Sequence, residues 1–200
     1  MGNRLKTYAA LREQSMKCPV CGEPFCARHF DEWWDPDKFD WQNYSEGLVI
    51  RCNRHFLKWW DPNKFNWREY SWCLAKYCTE YFLRWWDPNR FNWRECSWCL
   101  AKYCTEHLRK WWDPNRFNWQ EASWELAVYC SEYFEVWWNS EKFNWKDCSW
   151  VLAKYCSKYF HKWWDPLKYN KGDLEYLEMY CSRLKNIWYT DLKLLKMLGY

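Results

Sequence analysis

The stretch "WWDPNRFNW" occupies residues 85–93, and the same nine residues return at 111–119. Pairs of tryptophans start every 26 residues along the chain, at Trp33, Trp59, Trp85, Trp111, Trp137 and Trp163. A fixed period of this length is typical of stacked repeats, in which each unit packs mainly against its neighbours. We therefore divide the chain into repeats 1 to 5, which cover 33–58, 59–84, 85–110, 111–136 and 137–162, and number positions 1 to 26 from the first Trp of each.

Both ends of the array match the repeat only in part. "CARHFDEWW" from Cys26 aligns with "CNRHFLKWW" from Cys52, and a sixth unit starts in phase at Trp163 and then loses the pattern. Degenerate terminal units are typical of caps, which cover the ends of a solenoid. We expect 1–32 to hold an N-terminal helix and a cysteine-rich cap, 33–170 to hold the repeats, and 171–200 to form a C-terminal helical cap.

Each repeat has the pattern of two helices and a proline turn. In repeat 3, Asp87 and Pro88 predict a short helical turn, because aspartate caps helices and proline suits their first position. Asn92, with Glu95 three residues later, is typical of a capping box at the start of the longer helix "WRECSWCLAKYC". Thr105 is then the predicted N-cap of a shorter helix, "EHLRKWW". The expected fold is an all-α, α/α solenoid of about six tandem two-helix repeats.

The tryptophans are predicted to form the core of this solenoid. The chain has 22 of them among its 200 residues. Short helices offer few core positions, and an aromatic side chain buries up to about 250 Å². We therefore expect Trp85, Trp93, Trp98 and their equivalents to be buried, with each indole N–H bonded to backbone or to aspartate.

The layout resembles short helical solenoids of the leucine-rich-variant type. "LAKYC" and "WWDP" stand in an order similar to the "LAxDP"-like signature of that family, and "CPVCGEPFC" lies where some members carry a cysteine cluster. The resemblance covers 33–164 loosely, and the tryptophans and the longer period depart from it. It implies alternating α and 3₁₀ helices, and it implies nothing about function.

Composition excludes several classes of function. The net charge is +4 with both signs evenly mixed, so there is no polybasic tail. No run approaches the roughly 20 apolar residues of a membrane span, and the N-terminus lacks the apolar region of a secretory signal. The 13 cysteines, odd in number and mostly in repeat phase, are expected to be reduced and buried in a cytoplasmic protein. The near-identity of the repeats indicates recent tandem duplication, as in viral or phage genomes.

The strongest chemical motif is "CPVCG" at 18–22. This pattern is typical of a zinc knuckle, in which a tight turn directs two thiolates to one point. Cys18, Cys21, Cys26 and His29 have the spacing of a Cys₃His site for structural Zn²⁺. An iron–sulfur cluster, or no metal at all, remains an alternative, because Cys26 and His29 also stand in repeat phase. Cys52 and His55 are possible substitute ligands.

No pattern indicates an enzyme. Cys104 and His107 are close enough in sequence to act as nucleophile and base, but Cys104 lies on an apolar helix face that disfavours a thiolate. No carboxylate pair, glycine-rich loop or Ser-His-Asp order appears elsewhere in the chain. We predict a non-enzymatic binding scaffold, with no small-molecule substrate and no membrane association.

Position 6 of every unit is basic, and stacking is expected to align these residues. We call this set the basic ladder: Lys38, Lys64, Arg90, Arg116, Lys142 and Lys168. Beside aromatic residues, such a ladder is typical of single-stranded nucleic-acid binding, which is the alternative function. We favour salt pairing with neighbouring aspartates and a protein partner instead. The variable positions 12, 15, 18, 25 and 26 are the predicted sites of partner specificity, with 15 and 18 on the outer face of the long helix.

Overall fold

The computed structural model describes residues 16–199, which form two compact units divided between Asn92 and Trp93. All regular elements among these residues are helices, with one isolated antiparallel bridge between Lys17 and Pro24. The prediction of an all-α tandem-repeat solenoid is confirmed. The helix expected ahead of the cysteines falls on 1–15, outside the described residues.

Each repeat contributes one long helix, a 3₁₀ turn and a short helix. The long helices span Trp41–Arg51, Trp67–Tyr77, Trp93–Tyr103, Trp119–Tyr129 and Trp145–Tyr155. The 3₁₀ helices span Asn53–His55, Thr79–Tyr81, Thr105–His107, Ser131–Tyr133 and Ser157–Tyr159. The short helices span Phe56–Trp59, Phe82–Trp85, Leu108–Trp111, Phe134–Trp137 and Phe160–Trp163.

The ends of the array depart from this pattern. Phe30–Trp33 is the short helix that precedes repeat 1. After repeat 5 the chain forms two 3₁₀ helices, Lys171–Asp173 and Ser182–Leu184, and two α-helices, Leu174–Tyr180 and Lys185–Met197. The last helix reaches 13 residues because no Asp-Pro pair follows Trp188, whereas Asp-Pro follows the tryptophan pair in most repeats.

One local prediction is confirmed and another needs correction. The Asp87-Pro88 segment forms the expected single helical turn: the Asp87 carbonyl accepts the N–H of Phe91 at 3.0 Å, and its carboxylate accepts the N–H of Asn89 at 2.9 Å. Thr105 was predicted to cap the shorter helix, but the N-cap of the 3₁₀ helix Thr105–His107 is Cys104, whose side chain makes no capping bond. The segment begins with a 3₁₀ helix instead of the predicted α-helix, and the cap therefore lies one residue earlier.

The tryptophan core is confirmed at position 1 from Trp59 onward and at position 9 except in repeat 5, where Trp145 is half-buried. The first Trp of each repeat from Trp59 onward is at most 2% exposed, and Trp93 is 9% exposed. The indole of Trp85 donates to the Cys78 carbonyl at 2.8 Å, so its N–H is satisfied in the core. Trp98 is only half-buried, contrary to the prediction. It lies five residues after Trp93, about 140° around the helix, and so turns away from the core.

Serine and asparagine join neighbouring repeats through the core. The buried Ser71 hydroxyl donates to the Trp67 carbonyl and accepts the backbone N–H of Asn92 at 3.2 Å. The Asn92 side chain donates to the Arg68 carbonyl at 2.7 Å. The same joint recurs at the pairs Ser45–Asn66, Ser97–Asn118 and Ser123–Asn144. Ser149 also accepts the Asn170 N–H, but its hydroxyl donates to the Asp173 carboxylate at 2.6 Å. The joint satisfies backbone groups at a helix start that would otherwise be buried without partners.

Candidate metal centre and long-helix surface

The cysteine segment folds into a tight turn that brings its thiols together. The Cys18 N–H donates to the Glu23 carbonyl at 3.0 Å, and the Gly22 N–H donates to the Cys18 carbonyl at 2.8 Å. Gly22 has a φ of 76°, a left-handed conformation that glycine adopts without strain. The turn therefore uses the Cys-Pro-x-Cys-Gly sequence as the zinc-knuckle pattern predicts.

Cys18, Cys21, Cys26 and His29 converge on one point. Their four ligating atoms lie within 4.8 Å of one another. The Sγ atoms of Cys21 and Cys26 are 3.5 Å apart, and the His29 Nδ1 lies 3.5 Å from Cys18 Sγ and 3.6 Å from Cys26 Sγ. Tetrahedral zinc bound by sulfur and nitrogen gives ligand separations of about 3.5–3.8 Å. These side chains can hold a metal ion.

The surroundings of the cluster differ among its members. Cys18 and Cys26 are buried, His29 is half-buried, and Cys21 is exposed. A hydrogen bond from the His29 backbone lowers the pKa of the Cys26 thiol, because the N–H stabilises the thiolate. A lowered pKa favours the deprotonated form in which cysteine binds metals.

Cys52 and His55 lie outside this cluster. The Cys52 thiol donates to the Phe25 carbonyl at 3.4 Å, and the His55 Nε2 lies 2.8 Å from the Ala27 carbonyl. Both side chains contact the backbone of the cysteine segment, so the half-unit does fold over repeat 1. These contacts anchor the cysteine segment to repeat 1. Cys52 and His55 therefore do not act as substitute ligands in this structure.

Phe25, which the sequence analysis overlooked, docks the cysteine segment onto repeat 1. A Cβ at Gly47 would lie 2.7 Å from the Phe25 ring, so the glycine admits a close approach. The ring also contacts Trp33, Phe39 and Tyr44, at centroid separations of 6.1–6.3 Å. Gly47 stands at position 15, where repeats 2 and 3 have cysteine. This exchange of cysteine for glycine was the sequence signal that could have indicated a close contact at repeat 1.

The repeat-phase cysteines at position 20 are buried and poorly ionised. Burial raises the pKa of each thiol to about 12 at Cys52, Cys78, Cys104, Cys130 and Cys156. A thiol needs to ionise to act as a nucleophile. These thiols therefore fit packing in the core better than covalent chemistry.

The basic ladder bonds mainly to the turn of the preceding repeat. Lys142 donates to the Pro114 carbonyl at 2.8 Å and to the Asn115 side chain at 2.7 Å. Lys168 contacts Ser140 and Glu141 in the same way, and Lys64 and Arg90 repeat the arrangement. Lys38, Arg90 and Arg116 also pair with the aspartate three residues earlier. The ladder thus ties turns together, with neutral oxygens as well as aspartates as partners.

The outward side of each long helix carries aromatic and charged residues. We call the side chains at positions 10, 11, 14, 18 and 19 of repeats 2 to 5 the long-helix surface. In repeat 3, the half-buried Trp98 lies 6.2 Å from Tyr103 between ring centroids. Lys102 lies over the rings of both Tyr103 and Tyr129, at 5.3 and 5.6 Å.

One of the variable positions is not where the sequence pattern placed it. Position 15 was expected on the outer face, but Cys73, Cys99 and Val151 are fully buried there. Position 12 is buried at Cys96 and Ala122 as well. Neighbouring long helices within a unit pack against each other. Lys76 and Lys154 at position 18 are exposed, as predicted.

Comparison with protein-family models, curated proteins and solved structures found no match. The likeness to leucine-rich-variant repeats therefore stays a resemblance of layout. Within 16–199, no helix combines the length and the apolar character needed to cross a membrane.

Proposed function

We propose that this protein is a non-enzymatic scaffold that binds a protein partner through its long-helix surface. The observation that carries the proposal is the recurrence of a half-buried tryptophan at position 14, each beside a tyrosine: Trp72, Trp98, Trp124 and Trp150. Tryptophan and tyrosine dominate the binding energy of protein interfaces, because they present large rigid surfaces with a polar tip. Trp85 and Trp93 pack in the core, whereas the half-buried Trp86 stacks on the core ring of Phe82 at 5.3 Å.

A protein partner fits this surface better than a nucleic acid. Each repeat from 2 to 5 carries an acidic residue at position 11, namely Glu69, Glu95, Glu121 and Asp147. These carboxylates repel phosphates and offset the basic residues at positions 10 and 18, whereas single-strand binders surround their aromatics with positive charge. The basic ladder is also engaged with the turns. Single-stranded nucleic acid remains the alternative, and the test below separates the two.

The test compares partner capture by two variants. In each variant, the introduced residue already occurs at the same position of another repeat. Trp98→Glu combined with Trp124→Glu places on this surface the residue that repeat 1 has at position 14, Glu46. Leu83→Glu, at a 71% exposed position of a short helix, copies Glu135 of repeat 4 and serves as the control. We expect the tryptophan variant to bind a partner captured from native lysate at least about tenfold more weakly, a loss of about 1.4 kcal/mol. Leu83→Glu is expected to bind like the wild type.

Nuclease treatment and salt titration examine the alternative. Capture of a protein partner survives nuclease, while binding through nucleic acid is lost and weakens steeply with salt. Full capture by the tryptophan variant, or loss of capture after nuclease, would contradict the proposal.

We further propose that the cluster of Cys18, Cys21, Cys26 and His29 binds one structural Zn²⁺. Its thiolate and imidazole donors are those that zinc prefers, and four protein ligands close the site to substrate. Metal analysis of protein purified without added zinc is expected to find about one equivalent of zinc and no iron. Cys18→Ser is expected to lose the metal while the central repeats stay folded, because stability in a solenoid is largely nearest-neighbour. Cys96→Ala, which copies Ala122 of repeat 4, is the control. Zinc retained in Cys18→Ser would refute the assignment.

A further inference from the structure

Repeat 4 reverses the formal charge at three positions of the long-helix surface taken together with position 15. At positions 10, 11, 15 and 18, repeat 3 has Arg, Glu, Cys and Lys, and repeat 5 has Lys, Asp, Val and Lys. Each set has two basic residues and one acidic residue, a formal charge of +1. Repeat 4 has Gln120, Glu121, Glu125 and Val128 there, with no basic and two acidic residues, a formal charge of −2. A negative patch thus lies between two positive ones.

A groove lies at this patch, between the long helices Trp93–Tyr103 and Trp119–Tyr129. Its volume is about 620 Å³, and its lining consists of Arg94, Glu95, Trp98, Asn118, Glu121 and Glu125. Three carboxylates against one guanidinium give it a negative balance, and Trp98 supplies an apolar wall. An aromatic face beside carboxylates attracts organic cations, because the ring quadrupole and the carboxylates both favour positive charge.

Glu125 is the residue that distinguishes this groove. It occupies position 15, where Cys73, Cys99 and Val151 are buried in the other repeats. Its Oε2 atom is buried and has no hydrogen-bond partner. Burial raises the pKa of its carboxyl group, because a desolvated carboxylate is costly, and the charge of Lys102 offsets only part of this effect. A carboxyl group left in this state destabilises the free protein, and an incoming cation would compensate for it.

We propose that this groove receives a lysine or arginine side chain from an extended segment of the protein partner. Acidic residues on either side of that side chain would face the positive surfaces of repeats 3 and 5. The inference rests on the proposed function and names the chemistry of the partner. The stem of the side chain would pack against Trp98, and its charged end would reach Glu121 and Glu125.

A bound metal ion explains the groove less well. Among residues 16–199, the cysteine cluster is the one group of side chains whose ligating atoms approach closely enough to share an ion. Glu95, Glu121 and Glu125 line the groove without converging in that way. An arginine or lysine side chain bridges more widely separated carboxylates, because its cationic end carries several donors.

The experiment uses two labelled nonapeptides that differ by one charge. Both carry two glutamates on each side of the central residue, which is arginine in the first and its neutral isostere citrulline in the second. Fluorescence anisotropy with the full chain measures their affinities at low and at physiological salt. We expect the arginine peptide to bind at least about tenfold more tightly, since hydrogen bonds between charged groups contribute more than neutral ones.

Variants of the protein locate the preference. Glu125→Gln and Glu125→Cys are expected to abolish the difference between the two peptides. The cysteine variant introduces the residue that repeat 3 has at position 15, so it is expected to fold even if Glu125→Gln does not. Glu106→Gln, an exposed residue outside the groove lining, changes the net charge equally and is expected to retain the preference.

Two results would overturn the inference: equal affinity for both peptides, including no binding of either, or a preference that survives in Glu125→Gln. Partner capture that depends on Trp98 and Trp124 would still stand in that case. Failure of the inference is therefore distinguishable from failure of the proposed function.

Discussion

Replacement of Gly47 by alanine tests whether the cysteine segment docks on repeat 1 through Phe25. Gly47 lies inside the long helix Trp41–Arg51, where an alanine in place of glycine normally stabilises by about 0.5–1 kcal/mol. Here the new methyl group would lie 2.7 Å from the Phe25 ring, closer than carbon atoms approach without displacement. Trp33 and Tyr44 contact the same ring and limit its escape. Overpacking of this kind costs about 1–3 kcal/mol.

The difference between these two effects gives a net destabilisation of about 0–2.5 kcal/mol for Gly47→Ala. Urea unfolding followed by circular dichroism measures it, and hydrogen exchange shows whether the loss is confined to the segment from 16 to 47. The double variant Phe25→Leu/Gly47→Ala removes the clash and is expected to be more stable than Phe25→Leu alone. Because helix propensity and overpacking have opposite signs, a stabilised Gly47→Ala protein would refute the docked position of Phe25.

Two further predictions concern the core. Ser71→Ala removes the hydroxyl that joins the Trp67 carbonyl to the Asn92 N–H, and we expect a loss of about 1–3 kcal/mol in urea unfolding, because that buried donor is left unpaired. Alkaline pH is expected to destabilise the protein, since the five thiols with a pKa of about 12 stay protonated in the folded state while unfolded thiols ionise near pH 8.5. The folded state then binds more protons, so the free energy of unfolding should fall between about pH 8.5 and 12, by up to about 1.4 kcal/mol per pH unit for each thiol. Cys104→Ala should reduce the pH dependence of the unfolding free energy by the contribution of one thiol. An unchanged pH dependence would show that the folded state does not keep this thiol protonated.

The cysteine site was predictable from the sequence because its signal is local. The spacing of Cys18, Cys21, Cys26 and His29 determines which atoms one turn and one helix start can bring together. The same holds for the long helices, whose caps and apolar periodicity lie within 12 residues of each other. Thr105 was assigned the wrong role because a cap follows from the type of helix that comes after it, and the sequence pattern does not separate 3₁₀ from α turns.

The sequence by itself determined the period, the helices and the residues of the core, since these depend on contacts repeated within and between identical units. Only the tertiary structure decided which outward positions stay outward. Position 15 appeared exposed on an isolated helix, yet Cys99 is fully buried in the fold, and the cysteine segment covers Gly47 through Phe25. The partners of Lys142 were decided in the same way, by a turn 27 and 28 residues earlier in the chain. Helical periodicity gives the direction of a side chain around its own axis, whereas its burial and its partners depend on how closely the neighbouring repeat stacks against it.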